Sequence, residues 1–212
     1  MNIRVVAAAV LITALAGCAK DGDIDQTGGI AITRSACPAV AIPASTGDIT
    51  LFNPATSRAS NAIDVTASIT NMQVTCNDQG NDVISNATFD VLARRADPRG
   101  AREVVLPYFA TVMRGGTTIV SKKISSIRIV FPDGQTRASV QGQAGAVIER
   151  AQATLPPEIQ RELTKKRKAG EEDAAIDPLT RPNIKAAVAR ASFELLIGFQ
   201  LTADQLQYNA TR

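Results

Sequence analysis

The first reactive group along the chain is the thiol of Cys18, which follows Leu15 and the small residues Ala16 and Gly17. Residues 1–4 supply one positive charge, and residues 5–14 form an apolar run that is too short to span a bilayer. A basic start, a short apolar run and small residues before a processing point are typical of a secretory signal. The sequence therefore predicts a signal peptide over residues 1–17, with a cysteine thiol directly after it.

The segment that ends at Cys18 closely resembles the lipobox of bacterial lipoproteins. In that family the cysteine sulfur receives diacylglycerol, and the cysteine becomes the mature N-terminus. The resemblance therefore implies a covalent lipid on Cys18 as the attachment to a membrane. Ala19 is not the aspartate that retains such proteins in the inner membrane, so the resemblance implies an outer-membrane anchor. We expect the domain to face the periplasm, with exposure at the cell surface as the alternative. The resemblance covers the signal and the anchor only.

Residues 18–36 are small and polar, which predicts a flexible tether with a reach on the order of 25 Å. Asp21, Asp23 and Asp25 in this tether resemble the start of a calcium loop. The sixth position of that loop is not glycine, and no glutamate closes the loop twelve positions on. We therefore expect these carboxylates to be solvated, and we expect no metal.

Cys37 and Cys76 form an even pair once Cys18 is assigned to lipid, and disulfides persist in exported proteins. The alternatives are a reactive thiol or a pair of metal ligands. The chain contains no histidine, which is the commonest metal ligand. We therefore expect a structural disulfide. Closing a loop of about 40 residues would stabilise the fold by roughly 4 kcal/mol in the chain-entropy model.

The absence of histidine also removes the commonest acid–base group at neutral pH. A serine nucleophile would then need a lysine base. Ser121 and Lys122 would point to opposite faces of a strand, and the spacing of Ser121 and Lys123 does not match the S-x-x-K pattern. We therefore expect a non-catalytic protein with no cofactor besides the lipid. A hydrolase remains as an alternative, because carboxylates far apart in sequence, such as those of Asp78, Asp82 and Asp90, can meet in space.

The charge balance is close to neutral, with 23 basic and 20 acidic residues. This balance does not give the dense basic surface expected of a nucleic-acid-binding protein. The densest basic run, Lys165, Lys166, Arg167 and Lys168, is a candidate partner surface for anionic lipid or an acidic protein. Its alternative interpretation, which we favour, is a set of cations at the C-terminus of a helix.

Strand patterns dominate from Val40 to about Ile148. Ile63 to Ile69 alternate with polar residues, and the alternation shifts at Asn71, which predicts a bulge there. Gly115-Gly116 and Pro132-Asp133-Gly134 predict hairpin turns. Seven to nine strands with turn signals at intervals of about 8–12 residues predict an antiparallel β-sandwich that is immunoglobulin-like or fibronectin-like.

A helical insertion is expected over residues 155–190, followed by a final strand up to Phe199 and a capping box at Thr202-Ala203-Asp204-Gln205. Together with the preceding strands, these elements predict a single domain over residues 37–212.

The aromatic residues of the strands are expected in the core, with the exception of Tyr108. These core candidates are Phe89, Phe109, Phe131, Phe193 and Phe199. Tyr108 lies on the strand face opposite Phe109 and is a candidate contact for a partner. We expect an envelope accessory module that binds another protein. The alternative is a module that binds carbohydrate or another envelope polymer, although such a module needs an aromatic platform.

Overall fold

The computed structural model describes residues 35–165 and 176–211. Residues 35–156 and 181–211 form one compact unit, and residues 157–165 and 176–180 belong to a second; each is described by itself. The signal peptide, the lipidation site Cys18, the tether up to residue 34, and Lys166, Arg167 and Lys168 lie outside the described residues. The single domain over residues 37–212 stays a prediction.

The described part of the first unit contains eight strands in two four-stranded sheets. The strands are β1 (Ala39–Ala41), β2 (Asp48–Phe52), β3 (Ile63–Asn77), β4 (Asp82–Arg95), β5 (Arg102–Arg114), β6 (Thr118–Phe131), β7 (Arg137–Glu149) and β8 (Phe193–Phe199). One sheet has the order β1-β8-β5-β6, and the other has the order β2-β3-β4-β7. All neighbouring strands are antiparallel except β1 and β8, which are parallel.

The two sheets form a β-sandwich, so the expectation of a mainly β fold is confirmed. Alternate residues of each strand face the other sheet because the side-chain period of a strand is two. The core accordingly draws on both sheets, with Val83, Phe89 and Val91 from β4 against Leu106 and other residues of the second sheet. Phe131, Phe193 and Phe199 are also buried, as the sequence predicts.

Helices occupy the interval between β7 and β8, as expected, and follow β8. In the first unit these are α1 (Arg150–Ala153), α3 (Pro182–Ala191) and α4 (Ala203–Thr211), with a 3₁₀ turn over Ser60–Ala62. The predicted capping box begins α4: Thr202 N–H donates to Gln205 Oε1, and Gln205 N–H donates to Thr202 Oγ1. The second unit contains α2 (Pro157–Thr164) and a 3₁₀ turn over Pro178–Thr180.

Two predicted backbone irregularities are present. The register of β3 on β4 shifts between Thr70 and Gln73, and Asn71 has a positive φ of 51°. Asparagine tolerates this left-handed conformation better than most residues, which explains why the bulge lies there. Gly115 and Gly116 have φ values of 61° and 72° and join β5 to β6 in a tight turn.

The prediction of a β6–β7 hairpin is wrong. Gly134 has a positive φ and a turn does follow β6, but β7 pairs with β4 in the other sheet. The buried guanidinium of Arg95 explains the crossing, because it donates hydrogen bonds to the carbonyl oxygens of Pro132 and Gln135 in this turn at 2.9 and 2.7 Å. These hydrogen bonds hold the turn against the end of β4, and the chain crosses there from one sheet to the other.

Candidate functional site

Tyr108 lies in the core, so its expected place on an exposed strand face is wrong. Its side chain is 8% exposed, its ring packs edge-on against Phe89 at 5.5 Å, and its hydroxyl donates to the carbonyl oxygen of Gln143 at 2.7 Å. Val104 and Leu106 face inward with it, whereas Phe109 is only half-buried and lies on the other face of β5. Both faces of β5 are apolar in sequence, so alternation alone does not identify the inner one.

The predicted disulfide between Cys37 and Cys76 is present, with the two Cα atoms 6.1 Å apart. Cys37 precedes β1 in one sheet, and Cys76 lies near the end of β3 in the other. The bond therefore joins the two sheets covalently. The alternation that resumes after Asn71 predicts Val74 and Cys76 on the inner face, and they do lie on that face, paired with the buried Ala87 and Ser85, but both are exposed. The reason is that β2 flanks β3 only as far as Ser68, so the end of β3 beyond the bulge is an edge.

The first half of β6 is the most unusual surface of this unit. Every residue from Thr118 to Ile124 is exposed, on both faces of the strand, and Ile119 and Ile124 are 62% and 58% exposed. The second half behaves as an ordinary strand, since Ile127, Ile129 and Phe131 are buried. In a sandwich, the inner face of a strand is normally covered by the other sheet. The first half of β6 instead presents apolar side chains to solvent.

The outer edge of β6 has no neighbouring strand among the described residues, because β6 ends the order of its sheet. The hydrogen-bond alternation of antiparallel strands shows which groups this edge presents. Gln200 N–H donates to the carbonyl oxygen of Pro107, so the polar groups of Pro107 face β8 and not β6. Its partner on β6 is Ser126, whose backbone groups therefore point to the open edge, and so do those of Ile124 and Lys122.

Pro107 lacks a backbone N–H, which favours an edge strand or a bulge, yet β5 lies between β6 and β8. The last β5–β8 pair is Tyr108 with Phe199, so Pro107 lies just beyond the end of β8. Its ring nitrogen faces Gln200, which follows the last β5–β8 pair, so the missing N–H removes no hydrogen bond of that ladder.

A cleft of about 430 Å³ adjoins the exposed half of β6 on its inner side. Lys123 and Ser125 contribute one wall, Tyr108 reaches the cleft from β5, and β4 and β7 contribute the remaining lining. The lining of β7 includes Ala144 and Gly145, whose small side chains leave this space open. The cleft is polar, and its volume is within the usual range for ligand pockets.

The charges of β6 are all basic. Lys122 and Lys123 are neighbours in sequence and point to opposite faces: the Lys122 Nζ lies 5.2 Å from the centre of the Phe109 ring, and Lys123 lines the cleft. Arg128 forms an ion pair with Glu103 of β5 at 2.9 Å. Since β6 contains no aspartate or glutamate, its exposed half offers positive charge on both faces.

The other candidate residues do not gather into one site in the described parts of the chain. Asp82 and Asp90 lie eight positions apart on β4, or about 26 Å, and Asp90 accepts a hydrogen bond from Asn71. The carboxylate that does lie beside Asp82 is Glu149, opposite it in the β4–β7 register, and both line an open groove. Sequence reasoning missed this pair because nothing in the sequence specifies the pairing of β4 with β7.

Of the basic run, Lys165 is exposed and directly follows α2, which ends at Thr164. The remaining residues of the run, Lys166, Arg167 and Lys168, lie outside the described part. Its role as a partner surface stays a prediction.

In the described ranges, no group of three histidine, cysteine, aspartate or glutamate side chains is placed to hold a metal ion. Over the same ranges, no helix has the length and apolar character needed to cross a membrane. Comparison of the chain with protein-family models, with curated proteins and with solved structures finds no match.

Proposed function

We propose that this protein is a lipid-anchored accessory module of a bacterial cell envelope, which binds another protein and has no catalytic role of its own. The lipid on Cys18 would hold it at the outer membrane on the periplasmic side. The observation on which the proposal rests is the exposed half of β6, where apolar side chains, positive charge and an open strand edge occur together. Proteins protect or cover such edges because an open edge is a template for pairing with another chain.

The anchor part of the proposal rests on the lipobox resemblance. A protein-binding surface gains from a tether, since attachment to the same membrane raises the effective concentration of a partner. The disulfide between Cys37 and Cys76 fits a chain that folds in an oxidising compartment such as the periplasm.

We also propose that the sandwich shares the general architecture of immunoglobulin and fibronectin type III domains. Support comes from two sheets packed face to face, with connections that cross between them. Immunoglobulin domains of the constant type place their strands in the orders ABED and CFG. The orders β2-β3-β4-β7 and β1-β8-β5-β6 differ from these, so the likeness is one of architecture and not of strand order.

Two experiments test the proposal. Mass spectrometry of the mature protein is expected to find a diacylglycerol-modified cysteine at its N-terminus, and the Cys18→Ala variant is expected to leave the membrane fraction. Chemical crosslinking in intact cells is expected to give one dominant protein partner for the wild-type chain. An unmodified N-terminus would contradict the anchor, and the absence of any specific protein adduct would contradict the binding role.

A second candidate function is the binding of a carbohydrate or another envelope polymer, and the polar lining of the cleft favours it. Retention on peptidoglycan or lipopolysaccharide resin, lost in Tyr108→Phe, would favour this candidate. The phenylalanine keeps the ring in the core and removes only the hydroxyl that reaches Gln143.

A further inference from the structure

We infer that the exposed half of β6 is a strand-addition site for an extended, acidic–apolar segment of a partner protein. The segment pairs antiparallel with β6 and places acidic side chains toward the cleft and apolar side chains on the outer face. This inference rests on the proposed protein-binding function and adds to it the chemistry and the geometry of the partner.

The backbone geometry supplies the first argument. The N–H and C=O groups of Lys122, Ile124 and Ser126 point to the open edge, so an added strand finds donors and acceptors at every second residue. In strand addition, main-chain hydrogen bonds give affinity, and pockets for alternate side chains give specificity. Here the cleft lies on the inner side of the same stretch and can receive those alternate side chains.

The side chains supply the second argument. On the inner side, Lys123 lines the cleft together with the hydroxyl of Ser125. A carboxylate entering the cleft meets a cation and a hydroxyl that can donate a hydrogen bond. On the outer side, Ile124 is largely exposed beside the half-buried Phe109, and an apolar side chain of the added strand would cover both.

The same charges disfavour a second copy of this chain as the occupant. Antiparallel pairing of β6 with β6 of another copy, centred on its exposed half, brings Lys122 and Lys123 of the two copies close together. Like charges opposite each other on neighbouring strands are destabilising. An acidic segment reverses the sign of this interaction, so charge complementarity selects it.

The test uses the full lipidated chain in detergent micelles and a fluorescent eight-residue peptide in which aspartate and isoleucine alternate. The expected result is saturable binding, measured by fluorescence anisotropy. A peptide with lysine in place of aspartate is expected to bind about tenfold more weakly or not at all. Equal binding of the two peptides would overturn the inference.

Backbone methylation of the peptide tests the pairing itself, because it removes N–H donors without changing the protein. In antiparallel addition, the peptide residues that donate to β6 have side chains on the outer face, as Ile124 does. Methylation of the isoleucine nitrogens is therefore expected to abolish binding, and methylation of the aspartate nitrogens is expected to leave affinity within about threefold. The opposite pattern, or no effect of either, would overturn the proposed arrangement.

Two charge reversals at neighbouring positions provide the matched variants. Lys123→Glu is expected to weaken binding of the acidic peptide about tenfold, whereas Lys122→Glu, on the outer face, is expected to have a smaller effect. A larger effect at Lys122 would overturn the assignment of the acidic side chains to the cleft. A stable dimer of the purified chain that is lost in Lys123→Glu would overturn it in favour of self-association.

The outcome also separates this inference from the proposed function. If no peptide binds while crosslinking in cells still gives a dominant protein partner, strand addition is wrong and the protein-binding role stands. If crosslinking gives no partner either, the proposed function itself fails.

Discussion

Replacement of Arg95 by methionine tests the physical account of how the two sheets are joined. The Arg95 side chain is 1% exposed and donates to four carbonyl oxygens, those of Pro98, Gly100, Pro132 and Gln135, at 2.6 to 2.9 Å. These carbonyls belong to the two loops that leave β4 and β6, so one side chain satisfies the polar groups of both. The guanidinium carbon of Arg95 also lies over the Phe131 ring, 5.4 Å from the ring centre.

Methionine fills similar volume without donors and leaves these four carbonyls without their partner. A buried polar group that loses its hydrogen bond costs about 1–3 kcal/mol, and the lower end applies where water can reach the loop. We therefore expect Arg95→Met to lower the free energy of unfolding by about 4 kcal/mol. Arg95→Lys keeps the charge but can donate to only some of the four carbonyl oxygens, so we expect the free energy of unfolding to fall by about 2 kcal/mol.

Urea denaturation, monitored by circular dichroism, gives the free energy of unfolding of each variant from the midpoint and the slope of the transition. If Arg95→Met lies within about 1 kcal/mol of wild type, the four hydrogen bonds do not stabilise the crossing and the reasoning is refuted.

Three other predictions concern the sandwich. Replacement of Cys37 and Cys76 by serine is expected to lower the unfolding free energy by roughly 4 kcal/mol in urea denaturation, and an unchanged midpoint would contradict this. Gly142→Ala is expected to cost about 2 kcal/mol by the same assay, because a Cβ there would lie 2.5 Å from a neighbouring phenylalanine ring; a neutral result would show that the ring moves freely. The hydrogen bond from Arg102 lowers the pKa of Asp64, so this pair stabilises the fold above the ordinary carboxyl pKa and the stabilisation is lost as pH falls. Asp64→Asn is therefore expected to flatten the stability profile below about pH 4, and an unchanged profile in a pH series of thermal melts would count against the pair.

Sequence patterns predicted much of the fold because they act locally. The alternation before Asn71, the paired glycines at 115 and 116 and the capping box at Thr202 each specify structure through their own backbone preferences. The disulfide followed from counting, since the lipobox leaves two cysteines to pair.

The missed features depend on contacts between distant residues. No local signal separates a hairpin turn from a turn that crosses between sheets, and Arg95, which explains the crossing, precedes that turn by about 40 residues. In the same way, the burial of Tyr108 depends on Gln143 and Phe89 in the facing sheet.

The candidate site was missed for a related reason. The first half of β6 carries apolar and basic residues on both faces, but only the sheet order reveals that its edge is open. The cleft on the inner side of β6 exists because small residues of β7 line it together with Lys123. Neither strand's sequence indicates this arrangement by itself.

Site-specific photocrosslinking in cells is the most direct test of the central claim, that a lipid-anchored sandwich binds a protein through β6. The photoreactive residue is placed at Ile124 on β6 and, as a control of similar exposure, at Leu92 on β4, where the side chains are 58% and 52% exposed. We expect one dominant protein adduct from position 124, little from position 92, and loss of the adduct when Cys18→Ala is added. Equal adducts from both positions, or an undiminished adduct from the unanchored chain, would contradict it.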